Sequence, residues 1–308
     1  MTILCISGSR ADYGYIKPVA LALGAELFSI PASSAPAADS PDGITSASLV
    51  FCMRTSEKIE ALKPRMLVVV GDRWEILSAC QAAVLAGVPI AHIGAGEETR
   101  GSYDDRFRAA IEALADLHFC LTNRAFARRM GDGILAGCTS VTPPATLAEP
   151  DGSAILALYP ETRGERLWHL VEPIERMLGA RKLTVTVIGS NPDVGASMFG
   201  GHHLPLEEFH ARLARASVIV GNSSAGIIEA PILGTPSVNI GTRQDGRPFA
   251  ASCFQSSAAL DDIEAAIDAA LRFGKQRVDS PYYRPNAAQT IADGIRHYLE
   301  ERNDDQTA

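Results

Sequence analysis

Short runs of apolar, largely β-branched residues alternate with longer stretches of helical periodicity along almost the whole chain, and this alternation constrains the fold more than any other feature. Ile3–Ser7, Met66–Val70, Pro89–Ile93 and His118–Leu121 read as strands buried on both faces, because no polar residue alternates with the apolar ones. Between them, Tyr15–Leu23, Trp74–Ala86 and Asp104–Leu114 carry apolar residues at helical spacing. Strand, helix and strand in succession predict βαβ units and a parallel sheet covered on both faces. Residues 139–153 are rich in Pro, Thr, Ser and Gly and suit an interdomain linker. The alternation then restarts, with strands expected at Ala154–Leu158, Leu183–Ile188, Ala216–Val220 and Ser237–Ile240. Helices are expected at Arg163–Met177, Leu206–Leu213, Ala225–Leu233 and Ile263–Phe273, and a last amphipathic one at Ala287–Arg302.

The expected fold class is therefore α/β: two doubly wound parallel-sheet domains, 1–145 and 146–283, with residues 284–308 packing back on the first. Ligands of such sheets bind at the carboxyl ends of the strands, here expected to face an interdomain cleft. The low-complexity stretch 32–50 reads as a mobile loop near that cleft.

A chain of 308 residues accommodates two such cores. Its formal net charge of -8 argues against a general nucleic-acid binder. The six cysteines are scattered without a C-x-x-C pair, several within apolar runs, which suits buried reduced thiols rather than a metal site. The first residues show no basic region followed by a long apolar stretch. No run approaches the roughly 18 apolar residues that span a bilayer. A soluble cytoplasmic enzyme is the expectation.

The stretch 221–247 says most about chemistry. The apolar run Ala216–Val220 delivers the chain into Gly221-Asn222-Ser223-Ser224, and a helix-like segment with Glu229 follows. Ser237–Ile240 then opens onto a glycine-rich loop with Arg243 and Arg247. A strand, a turn of small residues and a helix N-terminus form an anion site, since unpaired N–H groups and the positive dipole end point at the ligand. Ser223 and Ser224 offer hydroxyls, the arginines offer forked donors, and Glu229 is placed to accept from a ribose. The simpler alternative is a capped helix after a strand.

Four more loops follow predicted strands. Gly8-Ser9-Arg10-Ala11-Asp12-Tyr13-Gly14 lacks the G-x-G-x-x-G dinucleotide fingerprint. Gly71-Asp72-Arg73 puts a carboxylate beside a guanidinium, which suits acid/base work next to a phosphate and equally suits a structural ion pair. His92–Gly101 carries Glu97 and Glu98 among small residues and continues to Asp104, Asp105 and Arg108. Its acids are candidate proton carriers, while Asp104 also fits the N-terminal charge of a helix. The fourth is Tyr159-Pro160-Glu161-Thr162. His202 and His203 read as loop histidines, His169 as structural and Trp168 as core.

Together these loops resemble the hydrolysing UDP-N-acetylglucosamine 2-epimerase family, in its sialic- and legionaminic-acid branch. The likeness rests on Ser9–Gly14, Gly71-Asp72-Arg73 with Glu75, Gly96-Glu97-x-Thr99-x-Gly101 with Asp104 and Arg108, Leu117-His118-Phe119, and Gly221–Arg247. It implies two Rossmann-like domains in the arrangement called GT-B, a nucleotide-sugar substrate, no cofactor or metal, and a homodimer or homotetramer. It implies that Ser223, Ser224, Glu229 and Arg243 hold the diphosphate and ribose, with Arg10 and Arg73 also reaching the phosphates. The family chemistry is removal of the C2 proton with loss of the nucleoside diphosphate, then hydration of the resulting glycal.

The chain departs from the family in several places. Tyr159 stands where relatives commonly have a histidine, Ala109 and Ala113 where they have His and Lys, and Gly94 where several have a catalytic glutamate. The chain is also shorter, partly between Gly195 and His202, and Phe199 is the candidate stacking group for the base there. Acid/base work then falls to Asp72, Glu97, Asp104 and Tyr159. The alternatives are a nucleotide-sugar hydrolase or glycosyltransferase that leaves C2 untouched, or an inactive nucleotide-sugar-binding protein.

Overall fold

The structure, a computed structural model, describes residues 2–8, 10–29, 41–99, 104–158, 161–162, 165–188 and 204–305. In chain order the first elements are β1 (Leu4–Ser7), α1 (Arg10–Leu23), β2 (Glu26–Ser29), α2 (Pro41–Leu62), β3 (Leu67–Val70), α3 (Trp74–Leu85), β4 (Ile90–Ile93), α4 (Asp104–Leu114), β5 (Leu117–Cys120), α5 (Asn123–Arg128) and β6 (Ile134–Leu135). Then come β7 (Ser153–Ala157), β8 (Glu161–Thr162), β9 (Glu165–Arg166), α6 (Val171–Ala180), β10 (Thr184–Val187), α7 (Leu206–Arg215), β11 (Val218–Gly221), α8 (Glu229–Leu233), β12 (Ser237–Ile240), β13 (Cys253–Ser256), α9 (Leu260–Phe273) and α10 (Ala287–Asp305).

The chain divides into two compact units, residues 1–97, 104–140 and 284–308 in the first, and 98–103 and 141–283 in the second. The first holds a six-stranded sheet ordered β2-β1-β3-β4-β5-β6 and the second a five-stranded sheet ordered β10-β7-β11-β12-β13. Every pairing within these two sheets is parallel. Two doubly wound α/β domains are thus present, as the alternation predicts.

The continuous apolar runs explain the central strands. All residues of β1, β3 and β4 are buried, as in Leu67-Val68-Val69-Val70. One face of the first sheet packs Leu4, Ile6, Leu67 and Val69 against Phe51 and Ile59 of α2 and Ile76 and Ala79 of α3. In the second unit Leu156, Val218, Val220, Val238 and Ile240 pack against Ile174 of α6 and Ile263 and Ile267 of α9. Burying each such side chain stabilises the fold by about 1.5–3 kcal/mol. The helix α10 belongs to the first unit. Its Ile291 and Ile295 are fully buried, and its Gly294 lies so close that a Cβ would sit 2.7 Å from Ile134 Cδ1 and 3.0 Å from Phe119 Cε1.

Several local expectations need correction. The part of 32–50 that is described is not a loop: Pro41–Leu62 forms one helix, with Ala47, Phe51, Thr55 and Ile59 buried at intervals of four residues. Its run of Ser and Thr conceals that period, and Thr55 satisfies its hydroxyl by donating to Phe51 O at 2.9 Å. The helix expected at Arg163–Met177 starts only at Val171, after β9 and a 3-10 turn at Trp168–Leu170. The helix expected from Tyr15 reaches back to Arg10 and carries Asp12 in its first turn, where the dipole favours a negative charge.

The free cysteines Cys5, Cys80, Cys120 and Cys138 are buried. Burial pushes the thiols of Cys5, Cys80 and Cys120 up to about 12. No helix among the described residues is long and apolar enough to cross a membrane.

Candidate functional site

In the first unit the chain leaves β1 to one side for β2 and resumes on the other side at β3. The carboxyl ends of β1 and β3 therefore mark a topological switch point, where open α/β sheets leave a crevice. Gly8 follows β1 there and Gly71-Asp72-Arg73 follows β3. Gly71 adopts φ +86, which a side chain strongly disfavours. A Cβ on Gly71 would lie 3.3 Å from Asp12 Oδ1, and one on Gly8 3.5 Å from Asp12 Oδ2, so the Asp12 carboxylate sits between the two loops.

Two bonds from β4 fix the Gly71 turn: Gly71 N donates to Ile93 O at 3.1 Å, and His92 Nε2 donates to Gly71 O at 2.8 Å. His92 is fully buried and faces His118 across the β4–β5 pairing. Burial, helped by the charges of Arg108 and His118, lowers its pKa to about 4 against the opposing pull of the Gly71 carbonyl and Glu112. The imidazole is therefore neutral near pH 7, and the bond to Gly71 fixes the proton on Nε2.

Arg108 is the hub of the site. It is 3% exposed, and its guanidinium donates to Asp72, to Asp105 and, at 3.1 Å, to Glu97 O. Burial alone would lower its pKa, but Asp72, Asp105 and Glu97 outweigh it and raise the value. Arg73 instead forks onto Glu75, its Nη2 at 2.5 Å and its Nε at 3.1 Å from Glu75 Oε1. Asp72 and Arg73, adjacent in sequence, thus bond to different residues. Glu97 is buried and accepts from Thr122 Oγ1 at 3.0 Å, while Thr122 also caps α5 through Ala125 N at 3.1 Å. Gly96 N donates to Glu112 Oε1 at 2.8 Å, and Glu112 Oε2 accepts from Arg129 at 2.7 Å. Asp104, half-buried, opens α4 directly before Asp105.

The second unit repeats this topology, with its switch point between β7 and β11. The turn after β11 folds over the end of β7: Asn222 N and Ser223 N both donate to Ala157 O, at 3.2 and 3.3 Å. Gly221, at φ +144, is required there, because a Cβ would lie 2.0 Å from Ala157 O. A small crevice at this point is lined by Ala157, Gly221, Ser223, Gly226 and Asn239.

The loop after β12 joins the same point. Asn222 O accepts from Arg243 Nη1 at 3.2 Å and from Gln244 Nε2 at 2.7 Å, and Gln244 Oε1 accepts from Arg247 Nη1 at 2.7 Å. The two halves of the Gly221–Arg247 motif are therefore in contact.

The helix expected at Ala225–Leu233 is not continuous. A 3-10 turn at Ser224–Gly226 is capped by Ser223, whose Oγ accepts from Ala225 N at 3.3 Å, and only then does α8 start at the buried Glu229. Gly226 and two β-branched residues disfavour helix, and Ile227 and Ile228 sit at φ -106 and -101. Pro231 is tolerated because the N–H groups of a first turn have no intrahelical partner. An anion held here would meet hydroxyls and guanidinia rather than a long aligned dipole.

Of the residues singled out in the sequence, Asp72, Glu97 and Asp105 converge on Arg108, and Ser223, Ser224 and Arg243 share the β11 turn. Tyr159, Phe199, His202 and His203 lie outside the described residues, as does the side chain of Arg10. Gln244 and Glu112 were not legible as site residues, since a side chain whose bonds are tertiary leaves no periodicity to read.

A family model described as UDP-N-acetylglucosamine 2-epimerase matches residues 2–135 and 164–296. The chain is 26% identical over 281 residues to the polysialic acid biosynthesis protein P7 of Escherichia coli, covering 78% of this chain and 71% of that protein. It is 27% identical to the UDP-N,N'-diacetylbacillosamine 2-epimerase (hydrolyzing) of Legionella pneumophila, covering 73% of this chain and 67% of that protein. Among solved structures, UDP-GlcNAc 2-epimerase of Methanocaldococcus jannaschii in complex with UDP-GlcNAc and UDP superposes with a TM-score of 0.75 at 15% identity. That match covers 96% of this chain and 100% of the other, and shows a shared fold.

Proposed function

The chain belongs to the UDP-N-acetylglucosamine 2-epimerase family, and from that premise we propose that it is a hydrolysing NDP-sugar 2-epimerase. Its substrate is an NDP-2-acetamido sugar, UDP-GlcNAc or an analogue, and its products are the free C2-epimeric sugar and the nucleoside diphosphate. The reading rests above all on the acidic cluster at the switch point of the first unit, where the carboxylates of Asp72 and Asp105 and the backbone carbonyl of Glu97 accept from the buried Arg108. Relatives named as hydrolysing diacetylbacillosamine 2-epimerases, 27% and 26% identical, support it.

A base takes the C2 proton as the C1–O bond breaks and the nucleoside diphosphate leaves with the electron pair, giving a 2-acetamidoglycal. Water then adds its hydroxyl to C1, and a proton is delivered to the opposite face of C2. Two proton carriers on opposite faces and cations at the leaving group are what the chemistry needs. Asp72, Glu97, Asp104 and Tyr159 are the proposed proton carriers. Ser223, Ser224, Glu229 and Arg243 are proposed to hold the nucleoside diphosphate, with Arg10 and Arg73 as further phosphate contacts.

A second reading, hydrolysis or transfer without inversion, is favoured by Gly94. At φ +97 it offers no proton carrier, and a Cβ there would meet only Gly71 N, at 3.9 Å. Proton NMR of the full chain with UDP-GlcNAc in deuterium oxide separates the two. Free N-acetylmannosamine deuterated at C2 is the expected product. Nucleoside diphosphate release with C2 intact would establish the second reading, and UDP-N-acetylmannosamine would overturn the hydrolysing step.

A further inference from the structure

The loop after β4 is seated tightly on the start of α5. Gly94 N and Ala95 N both donate to Phe119 O, at 2.8 and 3.2 Å. Gly96, at φ +75, lies so close to α5 that a Cβ would sit 2.3 Å from Ala125 O. The buried Glu97 therefore arrives beside Thr122, which caps α5 and is itself 1% exposed.

At Thr122 the direction of the hydrogen bonds follows from the groups involved. The Ala125 N–H can only donate, so Thr122 Oγ1 accepts from it at 3.1 Å, and the hydroxyl proton goes to Glu97 Oε1 at 3.0 Å. Capping needs the acceptor alone, and a side chain with no proton to give, such as Asp, caps as well. The proton on Glu97 is thus a second function of the hydroxyl. A donor set against a carboxylate favours the ionised form, and it opposes the burial that disfavours charge there. Among the described interactions, two titratable groups act on Glu97 across space. Arg108 of α4 is a cation shared with Asp72 and Asp105, and Cys120 of β5 is a thiol that burial keeps neutral. The Glu112–Arg129 ion pair lies next to them, at Gly96 N.

We propose that Thr122 is a positioning residue of the reaction, its hydroxyl holding the Glu97 carboxylate in place and ionised, so that Glu97 enters the reaction as a base. This rests on the reading of the chain as a 2-epimerase with Glu97 among its proton carriers. Glu97 receives the C2 proton as the C1–O bond breaks and the nucleoside diphosphate leaves with the electron pair. Thr122 acts through Glu97.

The test uses the full chain and follows UDP release from UDP-GlcNAc as a function of pH. Thr122→Val keeps the shape and removes the hydroxyl. Its kcat should fall off at a higher pH on the acid side, by about one pH unit, because the ionised form of Glu97 has lost a charge-assisted bond. KM should change little. Thr122→Ser, which restores the hydroxyl, should return the acid limb toward its parental position. A second measurement needs no substrate: a double-mutant cycle of Thr122→Val and Glu97→Gln, read by urea unfolding at neutral pH, should show non-additive losses.

An acid limb that stays in place in Thr122→Val, or additive losses in the cycle, would overturn the proposal, as would parental kcat in Glu97→Gln. If Thr122→Val does not fold, Thr122→Asp decides. It still caps α5 but gives Glu97 no proton at neutral pH, so an unmoved limb there would overturn the proposal too. A parent protein that neither binds UDP nor releases it sinks the functional reading, while the unfolding cycle still judges the hold of Thr122 on Glu97.

Discussion

The two units run the same topology and place different chemistry at the same point of it. Counted from β1 and from β7, the orders β2-β1-β3-β4-β5 and β10-β7-β11-β12-β13 are equivalent, and each has its switch point beside its own first strand. At β1/β3 the described bonds of the arginines go to carboxylates, Arg108 to Asp72 and Asp105 and Arg73 to Glu75, apart from one from Arg108 to the Glu97 carbonyl. At β7/β11 the described bonds of Arg243 and Arg247 go to a carbonyl and an amide oxygen. The strand order fixes where a ligand meets each sheet, and the side chains decide what that place can do.

This division can be broken by mutation. The largest effect belongs to Asp72→Asn, which should lower kcat about 10²–10⁴-fold as loss of a proton carrier does, while UDP affinity changes little. Equal losses in kcat and in UDP affinity would erase the contrast between the units.

The glycines at the two switch points come next, compared by thermal unfolding. Gly221→Ala forces a Cβ to 2.0 Å from a backbone oxygen that has no room to retreat, and should cost about 3 kcal/mol or more. Gly71→Ala meets the Asp12 side chain at 3.3 Å and should cost about 1–2 kcal/mol. The reverse ranking would mean that the first switch point is the more tightly built.

His92 of the first unit also makes stability depend on pH. His92 has a folded pKa of about 4, below the 6.5 of the unfolded chain, so its contribution is present above pH 6.5 and is lost as pH falls toward 4. The full loss is about 3 kcal/mol. Urea unfolding between pH 7 and pH 4 should show it, and His92→Gln should flatten the curve. A curve that keeps its slope would assign the effect elsewhere. In binding, Arg243→Ala should weaken UDP about 10- to 100-fold through loss of charge-assisted bonds, with a lesser effect from Arg73→Ala.

The central strands were readable because burial on both faces leaves an unbroken apolar run, as in β3, β4, β11 and β12. The edge strands were not. Glu26-Leu27-Phe28-Ser29 and Cys253-Phe254-Gln255-Ser256 are only partly buried and carry no such run. The helix α2 hid behind small polar residues that a low-complexity reading takes for a loop. At the switch points, residue types pointed to loops that the fold brings to the strand ends, but pairing did not follow sequence adjacency. Asp72 reaches Arg108, and Arg73 reaches Glu75. A tertiary bond between loops distant in sequence has no local pattern to betray it, and Gln244 shows the limit most clearly.

The place of α10 bears on how the protein is made. The first unit begins the chain, yet Ile291 and Ile295 and the Gly294 contact with Phe119 and Ile134 come from its far end. As the polypeptide leaves the ribosome, residues 141–283 have all emerged before that face of the amino-terminal sheet is covered. Domains generally fold in the order they are synthesised. Here the second unit can complete its core while the first still waits with apolar surface in water, so translation that stops short of residue 284 yields an aggregation-prone chain.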